Sequence, residues 1–333
     1  MTGFPVLSIC ITVFNRKKEF SHLLRSIDHS DKVELIIVND GSKDDIYELI
    51  INNKKKINFK YFETLNRGRS SALADAIKHS TGKYAMIMDS DDYFLSGGIK
   101  EIITEIEKNP NINCFVFGTK YVNNNKEKEH ILPDGFTTNL IKLRADFKVR
   151  GDLKEIVNSN LLKKCVYEKS YQYRFTPTSL IWQRVSRLTK CYTNDTCVAV
   201  KTYNKHGISA SIEQIKFENA EPYCDLFYDH LNSNLYDSKI FRLKAKAVDT
   251  ERSNKFLLLG SLIDFIKKYK TIEKIDKYKV SLYKKLSPNM RGEDKYKRSP
   301  VKLKRKLLYL KYNILKKKKE PIRNIKKLKK CLK

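Results

Sequence analysis

Lys83-Tyr84-Ala85-Met86-Ile87-Met88-Asp89-Ser90-Asp91-Asp92-Tyr93 is an apolar run of strand character that breaks off into three carboxylates within four residues. Like charges repel and carboxylates resist desolvation, so stability alone does not put that much negative charge at the mouth of a buried strand. The pattern calls for something positive. A hard divalent cation, held through one or two carboxylates and a substrate's phosphates, suits these residue types. An α/β sheet binds its ligands outside the carboxyl ends of its strands. The plainer alternative is a polar turn in which an aspartate caps a helix starting near Gly97 or Gly98.

The flanking sequence repeats one rhythm. Val6 to Val13 is an apolar, β-branched run closing in Phe14-Asn15-Arg16, and Phe20, Leu23, Leu24 and Ile27 follow at one-face helical spacing. Val33 to Val38 is a second buried-strand run, ending in Asn39-Asp40-Gly41-Ser42, whose Gly and Ser suit a turn and a helix cap. Ile57 to Phe62 reads as a third strand; Asn66-Arg67-Gly68-Arg69 then leads into a helix over 70–79, stopped by Thr81-Gly82. Strands alternating with helices in this way predict a doubly wound, mostly parallel sheet.

Four segments in this order and spacing, Ser8 to Arg16, Val38 to Ser42, Asn66-x-Gly68-Arg69 and Asp89-Ser90-Asp91-Asp92, resemble the inverting family-2 glycosyltransferases of the GT-A fold, of the bacterial cell-surface polysaccharide type. The resemblance implies that Phe14 and Asn15 line a nucleotide pocket with Asp40, which accepts hydrogen bonds from base or ribose. It implies a DxD-like motif in which Asp91 is the direct Mg²⁺ or Mn²⁺ ligand and Asp89 holds the donor ribose. Arg69 matches a basic residue placed near the diphosphate. The chemistry agrees: a nucleoside diphosphate leaving group gathers negative charge as the glycosidic bond breaks, and a metal and an arginine stabilise it most in the transition state. Asp40 as a simple turn residue and Arg69 as a solvated side chain are the plainer readings.

Beyond Glu101 to Phe117, read as a helix and a strand, the polar stretch Val122 to Glu129 reads as an exposed loop and Gly151 to Val157 as the start of a helix capped by Asp152. In one branch of the family an acidic residue stands four before a Trp that is followed two later by a basic residue. Trp182 and Arg184 are present here, but the acidic position, the usual general base, is Thr178. A threonine hydroxyl does not titrate near neutrality. Asp152 or Glu168 is therefore the candidate substitute, although either residue type more often caps a helix or sits on a surface. Thr189 to Lys201 reads as two short strands. Tyr203 to Ser209 resembles the loop that closes over the diphosphate in relatives, with His206 a candidate phosphate contact.

The 333 residues carry a net charge of +29, unevenly spread: residues 267–333 hold 27 Lys/Arg against five acids, leaving +7 on the other 266. Seven cysteines stand singly with no CxxC pair, as expected of reduced thiols in the cytosol. The N-terminus has no basic signal-peptide region, and the longest apolar run, Phe256 to Ile266, is about half what a spanning helix needs. Leu303, Leu307, Leu310 and Ile314, then Ile322, Ile325, Leu328 and Leu332, form aliphatic stripes opposite lysines. Basic amphipathic helices of this kind lie on anionic membranes, and the tail lacks the aromatics of single-strand binders.

The expected architecture is thus an α/β, GT-A-like (Rossmann-like) domain over 1–212, a helical extension over 213–300 and a basic amphipathic tail over 301–333. The expected activity is metal-dependent, inverting transfer of a sugar from a nucleotide sugar, a UDP-sugar by preference, to a hydroxyl of a glycan or lipid-linked acceptor. It is expected at the cytoplasmic face of the plasma membrane, with no nucleic-acid partner. A nucleotidyltransferase shares the carboxylate–metal logic but needs a Gly-rich basic loop absent here. A non-catalytic glycosyltransferase-like subunit, and a basic nucleic-acid-binding protein, are the alternatives outside that class.

Overall fold

The computed structural model describes residues 5–202 apart from 29, 54–56, 124, 125, 131, 146, 148 and 150, together with 215, 219, 222, 225 and 226. In chain order the elements are β1 (Leu7–Val13), α1 (Lys17–Ser26), β2 (Val33–Asn39), α2 (Ile46–Ile51), β3 (Phe59–Glu63), α3 (Arg69–His79), β4 (Tyr84–Asp89), β5 (Tyr93–Phe94), α4 (Gly98–Lys108) and β6 (Cys114–Asn123). They continue with β7 (Lys126–His130), β8 (Phe136–Thr138), α5 (Leu140–Ala145), β9 (Lys154–Asn158), α6 (Ser159–Cys165), α7 (Ser179–Leu188) and β10 (Cys191–Lys201).

β1 and β2 are apolar on both faces because helices cover both. Ile9, Ile11, Leu35 and Ile37 pack with α1 and α4 residues such as Phe20, Leu23 and Ile102; Cys10, Ile36 and Val38 pack on the other face with Ala72, Ala76 and Ile77 of α3. The strand order is β3-β2-β1-β4-β9-β6-β10-β5, with β7 added to β6 and β8 to β10. β3, β2, β1 and β4 run parallel. β9 runs against both β4 and β6, and β10 runs parallel to β6. The six strands β1, β2, β3, β4, β6 and β10 therefore all end at one rim, and β9 begins there.

Three local expectations are corrected. Gly151 to Val157 is not a helix start: Lys154–Asn158 is a strand, because Ile156 and Val157 fill opposite cores while Lys154 pairs with buried Asp92 and Glu155 with the exposed Arg144. The polar 122–129 stretch is not a loop throughout: β6 runs to Asn123, and β7 pairs antiparallel with it from Asn123↔Lys126 to Thr119↔His130. β10 is one strand rather than two, with register shifts between Asn194 and Ala199. Gly97, in the left-handed region, and not an aspartate, stands at the N-cap of α4. Among the described residues no helix is long and apolar enough to cross a membrane. The extension over 213–300, apart from its few described positions, and the tail over 301–333 lie outside the described residues.

Candidate active site

The first two strand ends are locked to each other. Asn15 adopts φ +50, its backbone N–H donates to Ser42 Oγ at 3.0 Å, and its side-chain carbonyl accepts from the Lys43 N–H at 2.9 Å. Phe14, beside it, is exposed. One strand further out, Asn39 accepts from the Ser42 N–H and donates to the Tyr61 hydroxyl.

Asp40 is buried, and both of its carboxylate oxygens accept backbone N–H groups: Arg67 at 2.8 Å and Gly68 at 2.9 Å. Charge-assisted bonds of this type are each worth about 1.5–3 kcal/mol. Asp40 thereby anchors the loop that delivers Arg69 to the rim. Gly68 is required by that path: its φ is +100, and a Cβ there would lie 2.4 Å from Arg174 Cα. The same stretch is clamped from outside, where Arg174 Nη1 donates to the Asn66 carbonyl and its carbonyl accepts from the Ser70 N–H.

Arg69 is not a solvated side chain. Its guanidinium donates to Asp89 Oδ1 at 2.7 Å and to Thr178 Oγ1 at 3.1 Å. Position 178, where the sequence frame expects a carboxylate, thus lies at the rim, one hydrogen bond from the arginine.

β5 explains how the cations reach the carboxylates. Directly after Asp92 the chain pairs with β10, Tyr93 opposite Val200, so that Lys201 comes to rest against Asp92. Lys201 Nζ lies 2.8 Å from Asp89 Oδ2, 2.8 Å from Asp92 Oδ2 and 3.8 Å from Asp152 Oδ2. Lys154 Nζ adds a contact to Asp92 Oδ2 at 3.1 Å. Thr202 closes the loop, its N–H donating to Asp92 Oδ1 and its hydroxyl to the Asp91 carbonyl.

These contacts sort the three aspartates. Burial pushes the Asp89 carboxyl up, but Lys201, Arg69 and Lys154 outweigh it and hold the group well below the usual carboxylate range. Asp91 moves the other way: burial raises it, and the neighbouring Asp89 and Asp92 charges raise it further. Among the described residues no Lys or Arg is ion-paired with Asp91. For Lys201, burial disfavours the charge, yet Asp89, Asp92 and Asp152 more than offset this and hold it above the usual lysine range.

The two candidate bases differ in surroundings. Asp152 stands two residues before β9, exposed, with its carboxylate 3.8 Å from Lys201 Nζ. Glu168 is exposed and paired with Arg184 at 2.9 Å; Arg184 also bonds the Val166 carbonyl and lies over the Tyr167 ring. Burial raises Glu168, but hydrogen bonds and the Arg184 charge together hold it below the usual range. It belongs to a surface staple and, among the described residues, is not bonded to the aspartate cluster. His206 lies outside the described residues.

Lys154 and Lys201 escaped the sequence reading, although each carries a signal. Lys201 ends an apolar run, Val198-Ala199-Val200, as Asp89 ends another, and a lysine closing a buried strand demands an anionic partner.

The family model for glycosyl transferase family 2 matches residues 8–164. A poly-beta-1,6-N-acetyl-D-glucosamine synthase of Staphylococcus epidermidis is 30% identical over 113 residues, 34% of this chain and 27% of that protein. In several of the curated relatives the matched stretch spans only 18% to 27% of the relative's length. Among solved structures, S. aureus TarS 1–349 in complex with UDP-GlcNAc superposes with a TM-score of 0.58 at 17% identity, covering 84% of this chain and 80% of that one. The mannosyltransferase PcManGT of Pyrobaculum calidifontis, in complex with GDP-Man and Mn²⁺, reaches a TM-score of 0.50 at 15% identity, covering 93% and 86%. The architecture is the GT-A fold.

Proposed function

Residues 8–164 being a glycosyl transferase family 2 domain, we propose that this protein transfers a sugar from a nucleotide sugar to a hydroxyl of a glycan or lipid-linked glycan, inverting the anomeric centre. The observation that carries the reading is the convergence on one sheet rim of Arg69, of Asp89 with Asp91, and of Asp152, from three segments separated in sequence.

Phe14, exposed at the end of β1, offers a flat apolar face to the base, and the Asn15–Ser42 lock holds it there. Asp40 acts on the donor through the loop it anchors. Asp91 suits a divalent cation: its carboxyl is raised by burial and by like charges that such an ion would relieve, and one carboxylate plus diphosphate oxygens is an ordinary ligand set for Mg²⁺ or Mn²⁺. When bound there, the cation neutralises charge on the departing nucleoside diphosphate. Arg69 has five N–H donors and uses only some of them on Asp89 and Thr178, so it can also meet a diphosphate oxygen, with the positive end of α3 beside it.

In the chemical step the acceptor hydroxyl gives its proton to Asp152 while its oxygen bonds the anomeric carbon from the face opposite the diphosphate. The carbon–oxygen bond to the phosphate breaks, and that electron pair leaves with the diphosphate. Asp152 serves better than Glu168 because it faces the cluster, whereas Arg184 makes Glu168 a weaker base. TarS binding UDP-GlcNAc supports a UDP-sugar donor, and the glucosamine-polymer synthase supports a polysaccharide product. The amphipathic tail supports a site of action on the inner membrane face.

Thr178 favours a second reading, a binding module without turnover, and one experiment separates the two. Purified full-length chain with Mn²⁺ is offered a panel of nucleotide sugars and an acceptor glycan, and free nucleoside diphosphate is measured. Wild type should release it; Asp152→Asn should bind donor normally and lose about 100-fold or more in turnover. Donor binding without release, with turnover appearing in Thr178→Asp, would establish the module instead.

A further inference from the structure

Of the three carboxylates that close β4, Asp89 and Asp92 are occupied by the protein's own cations. Each Asp89 oxygen accepts from a different cation, Arg69 on Oδ1 and Lys201 on Oδ2. Asp92 Oδ2 lies between the two ammonium groups of Lys154 and Lys201, and its Oδ1 accepts the Thr202 N–H. Asp92 and both lysines are buried. With Asp91 and Asp152, the described residues place four carboxylates and three cations at the rim, one negative charge in excess, and among them the carboxylate without a paired lysine or arginine is Asp91.

We propose that Lys201 is an internal counter-ion that holds the rim's affinity for a free divalent cation low, so that Asp91 retains the ion only with the help of anionic oxygens brought by the ligand. The inference deepens the proposed function and rests on its assignment of a metal to Asp91. Divalent-ion affinity rises with the number of charged oxygen ligands. An ammonium 2.8 Å from two carboxylates consumes their charge and also repels an approaching dication. Lys154 and Arg69 each compensate one aspartate; Lys201 alone bridges Asp89 and Asp92. Its position has a further consequence. The ion enters with the donor and departs with the nucleoside diphosphate instead of staying behind as a product-trapping site. Lys201 is thus a positioning residue, acting through the aspartates it holds.

The test measures Mn²⁺ alone, by calorimetry and by the electron spin resonance of free Mn²⁺, against full-length wild type, Lys201→Met and Lys201→Arg. Lys201→Met leaves Arg69 on Asp89 and Lys154 on Asp92, and should bind Mn²⁺ about tenfold tighter or more, the direction a merely structural role would not produce. Lys201→Arg keeps the charge and should return the wild-type value. A folded Lys201→Met protein with unchanged or weaker Mn²⁺ affinity overturns the inference. If that variant does not fold, wild type decides: binding of Mn²⁺ alone tighter than roughly 10 μM overturns it, and weaker binding supports it. A parallel titration with UDP and Mn²⁺ tests the donor reading separately. Failure of UDP to bind sinks that reading and leaves the lysine result standing.

Discussion

Replacing Glu155 with Gln should remove a pH dependence built into β9. Burial raises this carboxyl from 4.5 to about 7, and Arg144, whose Nη2 is 3.6 Å from Oε1, together with Lys154, only partly opposes the rise; Asp152 adds to it. The folded-state pKa therefore lies above the unfolded one, and the folded protein holds an extra proton between about pH 4.5 and 7. Stability contributed by the neutral carboxyl is complete below that window and is lost as pH rises through it. Raised from 4.5 to about 7, the carboxyl makes its ionised form cost about 3 kcal/mol at high pH. Gln keeps the shape and never ionises. The assay is urea unfolding at pH 5 and pH 8, read by fluorescence of Trp182, the only tryptophan, which packs on the same core as Val157 and Cys114. Relative to wild type, Glu155→Gln should gain about 2 to 3 kcal/mol between the two pH values. A gap between variant and wild type that stays constant across that range would refute the assignment of a buried, weakly compensated carboxyl.

Gly68→Ala forces a side chain into a left-handed position and against the Arg174 backbone, so thermal unfolding should show a loss of roughly 2 kcal/mol or more, with weaker donor binding by titration. Asp91→Asn should abolish the Mn²⁺-dependent part of nucleotide-sugar affinity in calorimetry without lowering the melting temperature, since it relieves repulsion from Asp89 and Asp92. Leu307, Leu310 and Ile314 changed together to Ser keep every charge of the tail but should release the protein from anionic vesicles in sedimentation at physiological salt. Retention equal to wild type would reduce the tail's role to electrostatics or remove it.

The parallel half of the molecule was legible because its signals are local: β1, β2 and β4 are apolar runs ending in Asn15, Asp40 and Asp89, and the turn chemistry sits where the chain turns. β9 was not legible. Asp152-Leu153-Lys154-Glu155-Ile156-Val157 places Leu153, Ile156 and Val157 at the i, i+3, i+4 spacing of a helix face, and the partners that allow Lys154 and Glu155 to be buried, Asp92 and Arg144, come from other segments. The same holds at the site. A motif could nominate Asp89, Asp91 and Arg69, but the bond from Arg69 to Thr178 spans 109 positions and that from Lys201 to Asp89 spans 112. Such charge pairing is a property of topology, and no window of sequence contains it.

The reversal of β9 between β4 and β6 divides the labour of inheritance as well as of chemistry. On the proposed function, residues that follow β1, β2 and β4 hold the donor side, whereas Asp152 precedes its strand. Lengthening or shortening the segment between α5 and β9 therefore changes what approaches the rim from the acceptor side while the register of the first four strands stays fixed. On the proposed function, a lineage could diversify the glycan it extends by altering that one segment, leaving its nucleotide recognition untouched.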